Sequence, residues 1–234
     1  MDSISVIIPA RNAVRYLGEA VASVRAQTHP VGEIIVIDND SDDGTAVLAQ
    51  QLGVTVVTEP LLGASYARNR GVSMASGSFL AFLDADDVWA PEKLEWQIEA
   101  FREDPFLEAV FGQLEQFISP DLSPEEASRL HCPVEASAAR LPSTMLIKME
   151  AFLKVGPYST ACKRAEVLEW AIRAMEMGLR DRSIARIVAR RRLHSSNVGI
   201  TMRESNIEYL HLIRMKMQRE KQRLAAEGAS TSLM

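Results

Sequence analysis

At 234 residues, 47% of them hydrophobic, and with a formal net charge of −5, the chain can hold one large α/β domain, or one domain with a small appendage, around a sizeable core. No apolar run reaches the roughly 18 residues of a membrane span, and Met1-Asp2-Ser3-Ile4 lacks the basic start of a signal peptide, so a cytoplasmic protein is expected. Cys132 and Cys162 stand singly without CxxC spacing, which argues against a disulfide framework.

In chain order, residues 4–8 read as a buried strand ending at Pro9, and residues 13–27 as a helix with Val14, Leu17, Val21 and Val24 on one face. A second buried strand covers 33–37. A polar loop, a short helix through Leu48 and Leu52, and a third strand over 54–57 follow. Residues 64–75 are helical, a strand then ends at Asp84, and Pro91 opens a helix to about Arg102. This alternation predicts βαβ crossovers and a mostly parallel sheet with helices on both faces. Beyond it, 108–118 reads as one or two strands, 119–140 as a loop with room for one short helix, and 145–147 as a strand. Residues 163–177 form a helix bearing Leu168, Ile172 and Met175, and residues 183–193 are strand-like or mixed. A long amphipathic helix over 203–226 carries Ile207, Leu210, Ile213 and Met217 on one face. No internal repeat and no interdomain linker is visible.

Charge is distributed unevenly. Residues 1–161 carry 11 basic and 23 acidic side chains, and residues 162–234 carry 15 basic and 8 acidic. The basic end is either a solvated face or a surface for anionic lipid or a phosphorylated acceptor.

The most informative stretch is Phe79-Leu80-Ala81-Phe82-Leu83 followed by Asp84-Ala85-Asp86-Asp87. Three carboxylates within four positions at a strand end repel one another unless a cation sits among them. A hard divalent ion carrying phosphate on its far side answers that need. Two further polar clusters, Pro9-Ala10-Arg11-Asn12 and residues 38–45 (DNDSDDGT), follow the first two strands. Ligands of open α/β sheets bind beyond the carboxyl ends of the strands, where these three loops converge. One acidic loop alone would be a solvated turn or a helix cap at Asp43 or Thr45.

With these pieces in order, the chain resembles the family 2 inverting glycosyltransferases of GT-A fold. The resemblance rests on Ser5-Val6-Ile7-Ile8-Pro9, Ala26-Gln27-Thr28, Glu33-Ile34-Ile35-Val36-Ile37-Asp38, Ser41-Asp42-Asp43-Gly44-Thr45, Ala67-Arg68-Asn69-Arg70-Gly71, Phe82-Leu83-Asp84-Ala85-Asp86-Asp87 with Pro91, and Arg192-Leu193-His194-Ser195-Ser196-Asn197. It implies a single domain over 1–234: a nucleotide-sugar-binding half at 1–105, an acceptor-side half at 106–200, and a tail at 201–234. It implies a sugar-nucleotide donor, most simply a UDP-sugar, and Mn2+ or Mg2+. Asp86 and His194 would hold the metal. Asp84 and Ala85 would contact the ribose or the metal's water. Asp38 and Asn39 would contact the base in a pocket lined by Pro9, Arg11 and Asn12, and Arg68 would bind the pyrophosphate. Arg11 and Asn39 depart from the family's usual tyrosine and aspartate. Read without the resemblance, Arg68 is a surface helix arginine and His194 a structural histidine.

The pattern breaks where the family's catalytic base should stand. In Arg164-Ala165-Glu166-Val167-Leu168-Glu169-Trp170, Glu166 matches the family's glutamate, but Val167 replaces the aspartate that takes the acceptor's proton. Glu166 or Glu169 serves as a displaced base, the acceptor ionises without one, another carboxylate enters, or the chain is a silent nucleotide-sugar-binding subunit. A nucleotidyltransferase is disfavoured, because Pro9-Ala10-Arg11-Asn12 contains no glycine. The expected partners are the donor and a glycan, lipid-linked or peptide acceptor, with no nucleic acid. The segment 203–224 would dock on the core, on the inner membrane face, or on a second subunit.

Overall fold

The computed structural model describes residues 3–133, 135–162 and 165–194. The first part alternates β1 (Ile4–Ala10), α1 (Leu17–Arg25), β2 (Glu33–Asp38), α2 (Thr45–Gln51), β3 (Thr55–Thr58), α3 (Ala64–Met74) and β4 (Phe79–Phe82). Next come β5 (Val88–Trp89), α4 (Lys93–Glu103), β6 (Ala109–Ile118), α5 (Pro124–Ser128) and β7 (Ser137–Ala138). A 3-10 turn (Pro142–Thr144), β8 (Leu146–Lys148), α6 (Met149–Val155), α7 (Glu166–Glu176) and β9 (Asp181–Leu193) complete these residues. All the strands of the described residues lie in one sheet of order β3-β2-β1-β4-β8-β6-β9-β5, with β7 pairing onto β6.

Strands β3, β2, β1 and β4 run parallel, as the βαβ rhythm predicts. From β4 onward the sheet is mixed: β8 is antiparallel to both β4 and β6, while β9 is parallel to β6. Side chains alternate across the sheet and divide the core in two. Val6, Ile8 and Val36 meet Leu17, Val21, Val24, Leu94 and Ile98 on one face. Ile7, Ile35, Ile37, Leu80 and Phe82 meet Ala67, Phe152 and Trp170 on the other. Gly71 lets α3 approach β1, since a Cβ there would overlap the side chain of Ile7. Phe82, Phe152, Tyr158 and Trp170 form an aromatic cluster with ring centroids 5.5 to 5.9 Å apart, which fixes α6 and α7 against β4.

Several expectations needed correction. Pro9 does not end β1, which runs on to Ala10. The ladder to β4 spans only Ile4 to Ile7, so the missing N–H of Pro9 lies on a side no strand occupies. Val14 lies in the turn before α1 and is exposed, not on the helix's apolar face. On α7, Leu168 and Met175 are exposed, and the helix buries Glu166, Glu169, Trp170 and Ala174 instead. Within what the sequence allowed, residues 108–118 hold one strand, and residues 183–193 belong to the long β9 paired along it. The turn at 142–144, α6 and β5 were not anticipated. No helix among the described residues is long and apolar enough to cross a membrane. The tail 203–226 and Ser195-Ser196-Asn197 lie outside the described residues.

Candidate active site

The carboxyl ends of β1, β2 and β4 bring the three polar loops together at one edge of the sheet. Most of the loop after β2 is engaged in holding the loop after β1. Asn12, at φ +50°, donates its N–H to Ser41 Oγ at 3.0 Å and accepts the Asp42 N–H at its Oδ1, also at 3.0 Å. Ala13 N–H donates to Thr45 Oγ1 at 2.8 Å, and Val14 N–H donates to Asp43 Oδ2 at 3.0 Å. Burial works against ionisation of Asp43, but hydrogen bonds from Thr45 and Val14 outweigh it and hold the carboxyl below its ordinary range. Arg11 stays exposed at the tip.

Asp38 and Asn39 end β2 differently. Asn39 donates from Nδ2 to the carbonyls of Glu59 and Leu61, both at 2.8 Å, and accepts the Gly63 N–H at 2.8 Å. Both of its donors therefore shape the loop after β3, and a direct base contact through them would break one of these bonds. Asp38 is 5% exposed, and its Oδ1 accepts no hydrogen bond from the described residues. A buried carboxylate oxygen in that state calls for a donor from a ligand or water.

The three carboxylates after β4 part company. Asp84 Oδ1 accepts from Arg68 Nη2 at 2.9 Å, Asp86 Oδ2 lies 3.0 Å from His194 Nε2, and Asp87 Oδ1 accepts the Arg192 N–H at 3.0 Å. Asp87 is pushed well above its ordinary value by burial first, then by Asp86 and Asp84, with only partial relief from Arg192 and Arg191. Arg192 organises this corner. Its guanidinium donates to the Asp86 carbonyl at 3.0 Å and to Ser119 Oγ at 3.2 Å, pairs with Glu19, and stacks over Tyr16 at 4.7 Å. His194 packs against the same Tyr16 ring, with centroids 4.9 Å apart.

Arg68 is not a surface helix arginine. It is 5% exposed, bridges Asp84 to Glu166 Oε1 at 3.1 Å through Nη1, and lies 5.7 Å from the centroid of the Tyr158 ring. Burial disfavours its charge, but Asp84 and the other neighbours overcome that and drive its pKa upward. For Glu166 burial wins over Arg68, and its carboxyl is raised. Arg68 Nε and Glu166 Oε2 are both buried without a hydrogen-bond partner among the described residues. Glu169 is 2% exposed and pairs with Arg173 Nη2 at 3.1 Å. Arg173 also holds the turn before α7 by donating to the carbonyls of Val155 at 2.6 Å and Pro157 at 2.7 Å. Val167 faces an apolar cleft walled by Phe111, Pro142, Met145, Tyr158 and Trp170.

Among the described residues no group of three or more His, Cys, Asp or Glu is gathered as a metal cage. Asp86 pairs with His194, Asp84 stands two positions earlier in the same loop, and the two aspartate side chains are 31% and 40% exposed. A divalent ion bound chiefly through phosphate needs only one or two carboxylates.

Comparisons with known proteins bear on the family and on the fold. A family model described as Glycosyl transferase family 2 matches residues 5–149. A Bacillus subtilis protein, "Putative teichuronic acid biosynthesis glycosyltransferase TuaG", is 42% identical over 43% of this chain and 42% of its own length. An Escherichia coli protein, "UDP-Glc:alpha-D-GlcNAc-diphosphoundecaprenol beta-1,3-glucosyltransferase WfgD", is 38% identical over 41% of this chain and 39% of its own. The matched part thus spans less than half of those two relatives. Among solved structures, S. aureus TarS 1–349 in complex with UDP-GlcNAc superimposes with a TM-score of 0.70, at 18% identity, over 91% of this chain and 65% of that one. The Pyrobaculum calidifontis mannosyltransferase PcManGT in complex with GDP-Man and Mn2+ gives 0.64 at 19% identity, over 85% and 59%.

Proposed function

Because this chain belongs to glycosyl transferase family 2 and has its GT-A fold, we propose that it transfers a hexose or N-acetylhexosamine from a UDP-sugar, with inversion, in a metal-dependent reaction. The observation that carries this reading is the buried Asp38 Oδ1, without a hydrogen-bond partner among the described residues, at the same sheet edge as the Asp86–His194 pair. Asp38 would accept the imide N–H of the base, and Pro9, Arg11 and Asn12 would wall the base pocket. Asp86 and His194 would hold Mn2+ or Mg2+, which when bound would neutralise the donor's diphosphate, with Asp84 beside the ribose or the metal's water. Ala85 would place its backbone against the ribose. Arg68 would stabilise the diphosphate as negative charge builds on it, through the unpartnered Nε.

Glu166 would be the base. Its raised pKa and one unpartnered oxygen suit a group that takes the acceptor hydroxyl's proton as that oxygen bonds to the anomeric carbon and the bond to the diphosphate breaks. Glu169 is less well disposed, because Arg173 already holds its carboxylate. The acceptor would be a glycan, a peptide or, in keeping with the E. coli relative's name, a sugar on a lipid diphosphate. Action in the cytoplasm, with 203–224 meeting a membrane face or a second subunit, completes the reading.

One observation favours a second reading, a nucleotide-sugar-binding subunit without turnover: Glu166 is pinned by Arg68, and its neighbour Val167 cannot take a proton. A panel of UDP-, GDP- and dTDP-sugars, with and without Mn2+, separates the two. Metal-dependent nucleotide release from one donor supports the transferase, and metal-dependent binding with no release, even with acceptor glycans present, supports the subunit. Asp86→Ala should abolish metal-dependent UDP binding. Full binding by that variant would overturn the site assignment.

A further inference from the structure

Where the β4–β8 ladder stops, side chains continue it. Backbone pairing between these antiparallel strands ends at Ala81 opposite Leu146. Extending that register places Asp84 opposite Ser143, and there the Asp84 N–H donates to Ser143 Oγ at 3.3 Å. The amides of Thr144 and Met145 are satisfied within the 3-10 turn, by Leu141 and Pro142 carbonyls at 3.1 and 3.0 Å. Three successive carbonyls of this segment are left pointing into protein, where unpaired acceptors are costly.

Each is met by a different side chain from the segment that follows the acidic loop. Trp89 Nε1 donates to the Ser143 carbonyl at 2.9 Å, Gln97 Nε2 to Thr144 at 2.9 Å, and Lys93 Nζ to Met145 at 3.2 Å. The three donors brace one another. Lys93 Nζ also donates to Gln97 Oε1 at 2.7 Å and sits 4.2 Å from the centroid of the Trp89 ring. Gln97 Nε2 donates as well to the Val110 carbonyl of β6 at 2.9 Å. Lys93 is 0% exposed, and none of the ion pairs among the described residues involves it. Burial lowers its pKa well below the ordinary value. Stability alone gives little reason to bury an amine so deeply, because an apolar side chain of equal volume would cost less.

We propose that Trp89, Lys93 and Gln97 are positioning residues that lock the acceptor-side wall, residues 142–145, to the acidic loop at 84–87. Pro142 and Met145 wall the cleft that Val167 faces, so the clamp sets where an attacking oxygen, of an acceptor hydroxyl or of water, rests relative to the donor. The inference builds on the transferase reading above, but its clamp is independent of which sugar or acceptor is used. It acts on the geometry of the reacting centres and leaves donor affinity alone, so it should move kcat and not KM.

The test uses the full chain with UDP and Mn2+ as the binding probe and UDP-GlcNAc hydrolysis as the turnover probe. Lys93→Met keeps the stem's bulk and removes both hydrogen bonds. Trp89→Phe keeps a ring under Lys93 and removes only the bond to Ser143, so it serves if Lys93→Met folds poorly. The expected result is UDP affinity and KM within about threefold of the parent, with kcat reduced at least tenfold for Lys93→Met and less for Trp89→Phe. Hydrogen exchange should show UDP protecting the amides of 143–147 in the parent, and that protection should vanish in the variants while UDP still binds. Unchanged kcat with protection of 143–147 intact in both variants would overturn the clamp. Failure of the parent to bind UDP with Mn2+ would instead overturn the donor-site reading on which the clamp's role depends.

Discussion

Replacing Arg68 by methionine should destabilise the fold, and by more at alkaline than at acidic pH. Arg68 compensates two carboxylates, but unequally. The Asp84 side chain is 40% exposed, so solvent screens most of what it would lose. The Glu166 side chain is 9% exposed and would be left buried without its counter-charge. Breaking a buried pair in this way costs about 3–5 kcal/mol, which for a chain of this length lowers Tm by on the order of 10 °C. In the parent the Glu166 carboxyl already lies above its unfolded value, because burial outweighs Arg68. Such a group favours folding below the unfolded pKa, about 4.3, and loses that contribution as pH rises through the folded value. Without Arg68 the folded value climbs further. The penalty is therefore complete at pH 8 and shrinks as pH falls toward 5 and Glu166 takes up a proton. Urea unfolding of parent and variant at the two pH values measures this directly. A loss below about 1 kcal/mol at pH 8, or an equal loss at both, would refute the burial argument.

Three further outcomes are expected. Gly71→Ala should cost about 1–3 kcal/mol in urea unfolding, since its Cβ would drive Ile7 out of the face of β1 that packs on α3. Burial raises the Glu33 carboxyl, but hydrogen bonds from Ser5 at 2.6 Å and Ser76 at 2.7 and 2.8 Å outweigh it and hold its pKa below normal. Its contribution is thus present above the unfolded pKa of about 4.3 and lost as pH falls through the folded value, so Glu33→Gln should flatten the acid limb of a stability–pH curve below about pH 4.5. Asp38→Asn should weaken UDP binding about tenfold and narrow the gap between UDP and CDP by calorimetry, because the amide can donate to a cytosine ring nitrogen where the carboxylate can only accept.

The first half of the chain was legible because each strand is short, apolar and closed by a recognisable loop. Residues 79–87 alone declare a buried strand and the acidic rim beyond it. Legibility failed where tertiary partners decide. Leu168 and Met175 look like a core stripe, yet α7 turns inward the face that holds Glu166 and Trp170, since Arg68 and the Gly156 carbonyl are there to satisfy them. Val14 follows helical spacing, but Asp43 captures its N–H and delays α1 to Leu17. At the site, carboxylates were visible as a cluster, but not their separate assignments to Arg68, His194 and Arg192. Arg192 stood in sequence as a flanking residue, and only pairing of β9 beside β6 brings it under Asp86 and Asp87. Nor did the sequence show that the loop after β3 closes around the Asn39 amide.

The single sheet also limits how the protein can move. Among the described residues, hydrogen-bonded strands run without a seam from β3, beneath the three polar loops, to β9 and β5 on the far side. Two lobes hinging about a linker, a common way to engulf a ligand, would have to shear this ladder. Among the described residues, the excursions between strands are free of that constraint, such as the stretch linking β6 to β7, whose helix α5 buries none of its residues. Evolution could then remodel the rim of the sheet by rewriting those excursions, with the frame beneath them left in register.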